Sequence, residues 1–324
     1  MAEEQTWSFP EAFQPQPDKV QFDLERALDA VVLVRTEVPE DAYSAQNLGT
    51  ERGGYGAVIR EDGLVLTIGY LINEASKVWL TTNKGTLVEG YPLAYDQATG
   101  FGLIQPLGKL GAPHLERGLA ADVKVGDAAF VIGHGGRAHS LRTRVIAKHE
   151  FAGYWEYVLD EAIFTAPAHP QWGGAALLDA QGNLIGTGSL LVQHDVSGEA
   201  LHVNMFVPID LLHPIFDAML KTGTSGRPPR PWLGMSTQDP GGTLVAARVS
   251  PGGPAARAGV KVGDVVIGVG VTRVASLTEF FRAVWRLGNA GVDVPLTLSR
   301  GGNEIHLTVK SGDRSEYLKK PKMH

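Results

Sequence analysis

Short runs of β-branched and aromatic residues, each closed by Gly, Asp, Asn or Pro, recur along most of this chain, and they predict strands. A first series comprises AVVLVRTEV (30–38), GAVIR (56–60), LVLTIGYLI (64–72), KVWLTTN (77–83), GTLVEGYPLAYD (85–96) and GLIQPLG (102–108). A second comprises AAFVIGHG (128–135), SLRTRVIAKHE (140–150), WEYVLDEAIFTA (155–166), AALLDAQGNLIGTGSLLV (175–192) and LHVNMFVPI (201–209). Two sets of about six strands at regular turn spacing read as two packed β-barrels or a sandwich. Helical spacing is confined to three places. QFDLERALD (21–29) carries Phe22, Leu24 and Leu28 on one side, IDLLHPIFDAMLK (209–221) is helical despite Pro214, and a third helix runs from Ser276 to Gly288. In the last, Ser276 with Glu279 three residues on is the capping-box pattern.

TGTSGRPPRP (222–231) is a linker by composition. Beyond it, strands around the third helix make a smaller α+β unit of ordinary domain size. The expected division is an N-terminal segment (1–20), a β-barrel region (21–221), a linker (222–230), a second domain (231–312) and a tail (313–324).

Composition narrows the function classes. The 324 residues carry a net charge of −6, so no broad basic field invites nucleic acid or anionic membrane, although KKPK (319–322) is a local basic run. The absence of cysteine removes disulfides, thiolate metal sites and a Cys nucleophile. The acidic start MAEEQTWSFPEAFQ lacks the charged-then-apolar form of a signal peptide, and no run of 18 apolar residues occurs. As written the chain is expected to be cytoplasmic, or periplasmic or secreted if a leader has been removed.

Four motifs carry a family resemblance. SPGGPAARAGVKVGDVVIGVG (250–270) follows the pattern PGSPAAxAGLxxGDVIxxVNG, and GYGAVIREDGLVLTIGYLI is similar to GSGVIISxDGxILTNxHVV. VGDAAFVIGHGG is similar to VGDxVxAIGNPxG, and HPQWGGAALLDAQGNLIGTGS to NPGNSGGPLVNxxGxVIGINT. Over about residues 24–312 the chain resembles an HtrA/Deg-type protein, a trypsin-like serine protease of chymotrypsin fold followed by a PDZ domain. The resemblance implies a mainly β fold, a double six-stranded β-barrel and then a smaller α+β PDZ domain.

The same registers imply what is missing. LTIGYLI on LTNxHVV puts Tyr70 at the general base, DQATGFGLI on DxxTDLAVL puts Gly100 at the orienting Asp, and PQWGGAAL on PGNSGGPL puts Gly173 at the nucleophile. A serine protease needs a hydroxyl nucleophile, a neutral imidazole and a carboxylate that orients it. A phenol with a pKa of about 10 is no base near neutral pH, and glycine offers no side chain. The first histidine of the chain is His114, so the first barrel holds none. The vestigial oxyanion loop would be Gln171, Trp172 and Gly173, and Trp172 with Tyr70 is expected to fill the cleft.

By resemblance the PDZ unit keeps its function. Leu233, Gly234 and Met235 of PWLGM would aim backbone N–H groups at a peptide C-terminus, the peptide would add as a strand beside 235–238, and Phe280, Phe281 and Val284 would supply an apolar wall. The expected partners are peptide C-termini or extended, unfolded polypeptides, with active HtrA-type relatives as further candidates; no cofactor is implied. Trp7, Phe9 and Phe13 stand in a segment through which HtrA-type proteins trimerise, the alternative being that they pack on their own barrel. The reading is a pseudoprotease that acts as scaffold, adaptor or chaperone-like factor. Two alternatives stay open: an active HtrA-like serine endopeptidase with an unrecognised arrangement, and a metal-binding cleft drawing on His134, His139, His149 and His169, whose spacing matches no compact metal motif. GHGGR (133–137) is a turn and not a phosphate loop, since no helix opens after it.

Overall fold

The computed structural model describes residues 7–196, 199–239 and 241–320. Residues 1–6 of the N-terminal segment and 321–322 of the basic run lie outside the described residues. Two compact units result: the first runs to His149 and from Glu161 to Gly226, and the second holds Glu150–Asp160 and Arg227–Lys319.

In the first unit, Asp23 caps α1 (Leu24–Asp29) by accepting from the Arg26 N–H at 3.0 Å, and the helix buries Leu24 and Leu28. It leads into β1 (Val31–Glu37), and the short α2 (Ala45–Leu48) precedes β2 (Glu51–Val58). β3 (Val65–Ile68), β4 (Lys77–Thr81), β5 (Leu87–Tyr95) and β6 (Phe101–Pro106) complete a closed barrel in the order β1-β2-β3-β6-β5-β4. Closure leaves no free sheet edge and turns alternate apolar residues inward. All four residues of β3 are buried, and its one polar side chain, Thr67, is satisfied by donating to the Tyr55 carbonyl at 2.6 Å.

The second barrel has the same topology. β7 (Ala128–Ile132), β8 (Ser140–Gly153), β9 (Tyr157–Ala166), β10 (Ala176–Leu178), β11 (Leu184–Val196) and β12 (Glu199–Pro208) close in the order β7-β8-β9-β12-β11-β10. The run 175–192 is split into β10 and β11, because Asp179 accepts from the backbone N–H groups of Gln181 and Asn183 and Gly182 takes φ +85°. Segment 209–221 is likewise not one helix. A 3₁₀ turn covers Ile209–Leu211, and α3 (Phe216–Thr222) starts only after Pro214, which cannot donate to a continuous helix.

The second unit is a sheet in the order β13 (Met235–Gln238), β14 (Val245–Val249), β15 (Val265–Val269), β17 (Asp293–Arg300) and β18 (Asn303–Lys310), with β16 (Thr272–Arg273) paired to β15. α4 (Pro254–Arg257) and α5 (Leu277–Trp285) accompany it. Ser276 caps α5 at the Glu279 N–H, 3.2 Å away, as its pattern predicts. Residues 150–160, which fall inside the expected barrel region 21–221, belong to this unit.

Candidate functional site

The first unit brings Tyr70, Gly100 and Gly173 together. Tyr70 sits on the 3₁₀ turn Gly69–Leu71 at the end of β3. The buried guanidinium of Arg52 clamps this turn, donating to the carbonyls of Tyr70 at 2.7 Å and Asn73 at 3.0 Å and to Ser44 Oγ at 2.8 Å. Gly100 closes a turn at φ +80°, and its carbonyl accepts from the Gly69 N–H at 2.6 Å. Tyr70 Oη reaches across to donate to the Ser189 carbonyl at 3.0 Å. A methyl group built on Gly173 would lie 2.8 Å from that oxygen. The phenol therefore occupies the space in which a residue-173 side chain would start. Burial raises the Tyr70 pKa above its ordinary value, so the hydroxyl keeps its proton.

The adjoining loop is ordered by His169, which the sequence offered only as a metal candidate, and by Asn204 and Tyr55, which it did not single out. His169 is fully buried; its backbone N–H donates to Asn204 Oδ1 at 2.6 Å and its carbonyl accepts from Asn204 Nδ2 at 3.0 Å. The Gln171 N–H, assigned by resemblance to the oxyanion hole, donates instead to His169 Nδ1 at 3.0 Å. His169 Nε2 must then carry the proton, which it donates to the His139 carbonyl at 2.9 Å. Burial pushes the His169 pKa down to about 4, so the ring is neutral at physiological pH. Tyr55 donates its hydroxyl to Gln171 Oε1 and its N–H to the Gly173 carbonyl at 2.7 Å, and burial raises its pKa to about 12. The visible signals were a lone Asn in the apolar run LHVNMFV and a Tyr in the otherwise small GGYGAV.

Trp7 and Phe9 pack within the same unit: Trp7 meets His139 and His169 edge-on at 4.7 and 5.5 Å, and Phe9 meets His169 at 5.1 Å. Only Phe13 of the three aromatics stays exposed, at 47%. His149 stacks on Phe164 at 4.2 Å. Among the described residues no group of three or more His, Asp or Glu is placed to hold a metal ion.

In the second unit, residues 231–235 form a loop whose carbonyls are committed. The Leu233 carbonyl accepts from the Ala255 N–H at 2.8 Å and the Gly234 carbonyl from the Ser250 N–H at 2.8 Å. Gly234 takes φ +71°, which a side chain would oppose. With the carbonyls tied back, the N–H groups of Leu233 and Gly234 point at one spot, an arrangement suited to a carboxylate. β13 follows at the sheet edge, where a strand can add. Phe280, Phe281 and Val284 are all buried, in one cluster with Leu233, Met235 and Val158.

The family description "Trypsin-like peptidase domain" matches residues 54–186, and "PDZ domain" matches residues 231–311. The chain is 27% identical over 274 residues to the "Probable periplasmic serine endoprotease DegP-like" of Halomonas elongata, covering 80% of this chain and 56% of that one. It is 26% identical over 238 residues to the "Serine endoprotease DegS" of Haemophilus influenzae, covering 70% and 66%. The chain thus spans little more than half the length of the Halomonas relative. Among solved structures, the fold is similar to the HtrA-type protease AlgW with decapeptide, at TM-score 0.54, 20% identity and coverage of 92% and 98%. It is also similar to the serine endoprotease from Yersinia pestis, at TM-score 0.52, 22% identity and coverage of 90% and 96%. No helix among the described residues is long and apolar enough to cross a membrane. The chain thus matches a trypsin-like peptidase domain followed by a PDZ domain, and across both it is similar to serine endoproteases of the DegP/HtrA type.

Proposed function

We propose that this chain is a non-catalytic relative of those endoproteases, binding peptide C-termini or extended segments of unfolded or partner proteins through its PDZ domain. It would serve as scaffold, adaptor or chaperone-like factor, with active HtrA-type proteases among its partners. The observation that carries the proposal is the Tyr70 hydroxyl lying where a side chain on residue 173 would begin. Around it stand a phenol in place of an imidazole, a glycine in place of a carboxylate, and an oxyanion N–H spent on His169. Acyl transfer without nucleophile and base retains only what positioning can supply. The setting we propose is periplasmic, in keeping with the name of the Halomonas relative; the cytoplasmic expectation has no such support. A homotrimer built through the N-terminal segment would have Phe13 alone to offer, since Trp7 and Phe9 already have partners.

The test is casein hydrolysis by the unmodified chain and by Gly173→Ser, with binding of labelled peptides recorded on the same samples. We expect no cleavage by either protein and measurable peptide binding. Casein cleavage by the unmodified chain that a serine-directed inhibitor abolishes would overturn the proposal.

A further inference from the structure

The loop 231–235 already holds a carboxyl group of its own chain. Tyr154, Trp155 and Glu156 turn the tip of the β8–β9 hairpin, and the Leu233 N–H donates to Glu156 Oε1 at 3.2 Å. The Gly234 N–H bonds the same side chain. Arg314 faces this carboxyl group, and its Nε and Nη1 are buried with no hydrogen-bond partner. Such a site presents two backbone donors and a cation, which is what a peptide's terminal carboxylate would require.

Three further observations make this a built contact. Glu156 adopts φ +64°, the left-handed position that a three-residue hairpin turn favours for glycine. A side chain held there at a conformational cost points to a role for the side chain. Val158 is 8% exposed within the cluster of Leu233, Met235, Phe280, Phe281 and Val284, and Ala152 packs against that cluster. At the foot of the tip, Arg282 of α5 bridges Glu150 at 2.8 Å and Asp160 at 2.5 Å.

We infer that the hairpin tip is an internal ligand of the PDZ domain, in which Glu156 stands in for a peptide C-terminus and Val158 covers the apolar wall, so that an incoming peptide must displace it. The inference rests on the peptide-binding reading above and adds its regulation: the unliganded site is self-occupied, and apparent affinity is reduced by the fraction of molecules in which the tip is seated.

The test uses the full chain and fluorescein-labelled decapeptides ending in Val, Leu or Phe, each with a free carboxylate and as the C-terminal amide. Glu156→Gly removes the carboxyl group and relieves the left-handed strain, so folding is retained; Glu156→Gln keeps the shape and an acceptor oxygen. Hydrogen exchange at residues 231–236 reports release of the loop N–H groups without any peptide. We expect faster exchange there in Glu156→Gly, and a gain in affinity of roughly tenfold for carboxylate peptides, the size of one hydrogen bond, with little gain for amides. Equal affinity of the unmodified chain and Glu156→Gly would overturn the internal-ligand inference and leave the peptide-binding reading standing. No binding by any form, with exchange already released in Glu156→Gly, would overturn both.

Discussion

The two sites of this molecule are filled in different ways. Around Gly173 a neutral phenol, bonded to the Ser189 carbonyl, takes the space that a side chain there would need. Around Gly234 the chemical groups are all present, two N–H donors and the facing guanidinium of Arg314, and a side chain of the same molecule uses them. Filling by packing is hard to reverse, because undoing it leaves a cavity or an unpaired polar group. Filling by a surrogate ligand is reversible by competition. The first site should therefore answer to mutation with changes in stability, and the second with changes in affinity.

The sharpest way to break the first site is Gly174→Ala. Gly174 has φ +76°, and a methyl group there would lie 1.9 Å from the Tyr55 carbonyl oxygen and 2.6 Å from Thr67 Oγ1. Neither backbone can move without disturbing barrel strands, so a loss of more than about 3 kcal/mol is expected, read as loss of soluble protein and of a cooperative melting transition. Gly241→Ala in the second unit is the control. Its φ of +73° is similar and no atom lies within 4 Å of the added carbon, so only the conformational cost of about 1 kcal/mol remains. Comparable losses at both positions would mean that crowding does not hold the cleft loop in place.

Acid should separate the sites next. The folded pKa of His169, about 4, lies below the ordinary histidine value of 6.5, so its contribution is fully present above pH 6.5 and is lost as pH falls through 4. The difference corresponds to roughly 3 kcal/mol at full protonation. Denaturant titrations at pH 7 and pH 4 should show this loss in the unmodified chain and a smaller one in His169→Gln. Glu156 runs the other way. Burial raises its pKa from 4.5 to about 8, so seating of the hairpin tip is strongest below pH 4.5 and weakens as pH rises through 8. Peptide affinity of the unmodified chain should accordingly climb by about tenfold or more between pH 6 and 8.5, while Glu156→Gly stays flat.

The strands, the capped helix at 277–285 and the loop PWLGM were legible because period, caps and turn glycines are local properties of sequence. The proposed loss of the triad side chains rests on the letters alone, in the registers that put Tyr70, Gly100 and Gly173 at those positions. What held the cleft loop was not legible. Asn204 lies 35 residues from His169, and Tyr55 lies 116 from Gln171, and only barrel closure brings them into hydrogen-bond reach. Pro214 broke a helix that the apolar spacing alone favoured. Most consequential, YWEYV reads as the start of a strand, and nothing in it tells that Glu156 will meet Leu233, 77 residues on.

A coupling measurement tests whether Tyr70 is the plug. Gly173→Ser places a carbon 2.8 Å from Tyr70 Oη, so the phenol must yield its bond to the Ser189 carbonyl, and a loss of about 1–2 kcal/mol is expected. In a Tyr70→Phe background the hydroxyl is gone and the same substitution should cost less, giving a coupling of about 1 kcal/mol in a double-mutant cycle followed by urea unfolding. Additive costs would place the obstruction elsewhere in the loop.

The smallest effect should come from Arg282→Ala. Its guanidinium bridges Glu150 and Asp160, yet Arg282 is 39% exposed and Asp160 90%, so solvent screens the pair and its worth is under about 1 kcal/mol. If Glu156 is the group that seats the hairpin tip, removing this outer tether should raise peptide affinity by no more than about threefold and leave the exchange of residues 231–236 nearly unchanged. A gain as large as that of Glu156→Gly would shift the weight of the contact from the buried carboxyl group to the surface ion pair, making the site's self-occupancy sensitive to salt. The discriminating measurement is peptide titration of both variants at 50 and 500 mM sodium chloride, because a screened surface pair fades over that range and a buried carboxyl contact does not.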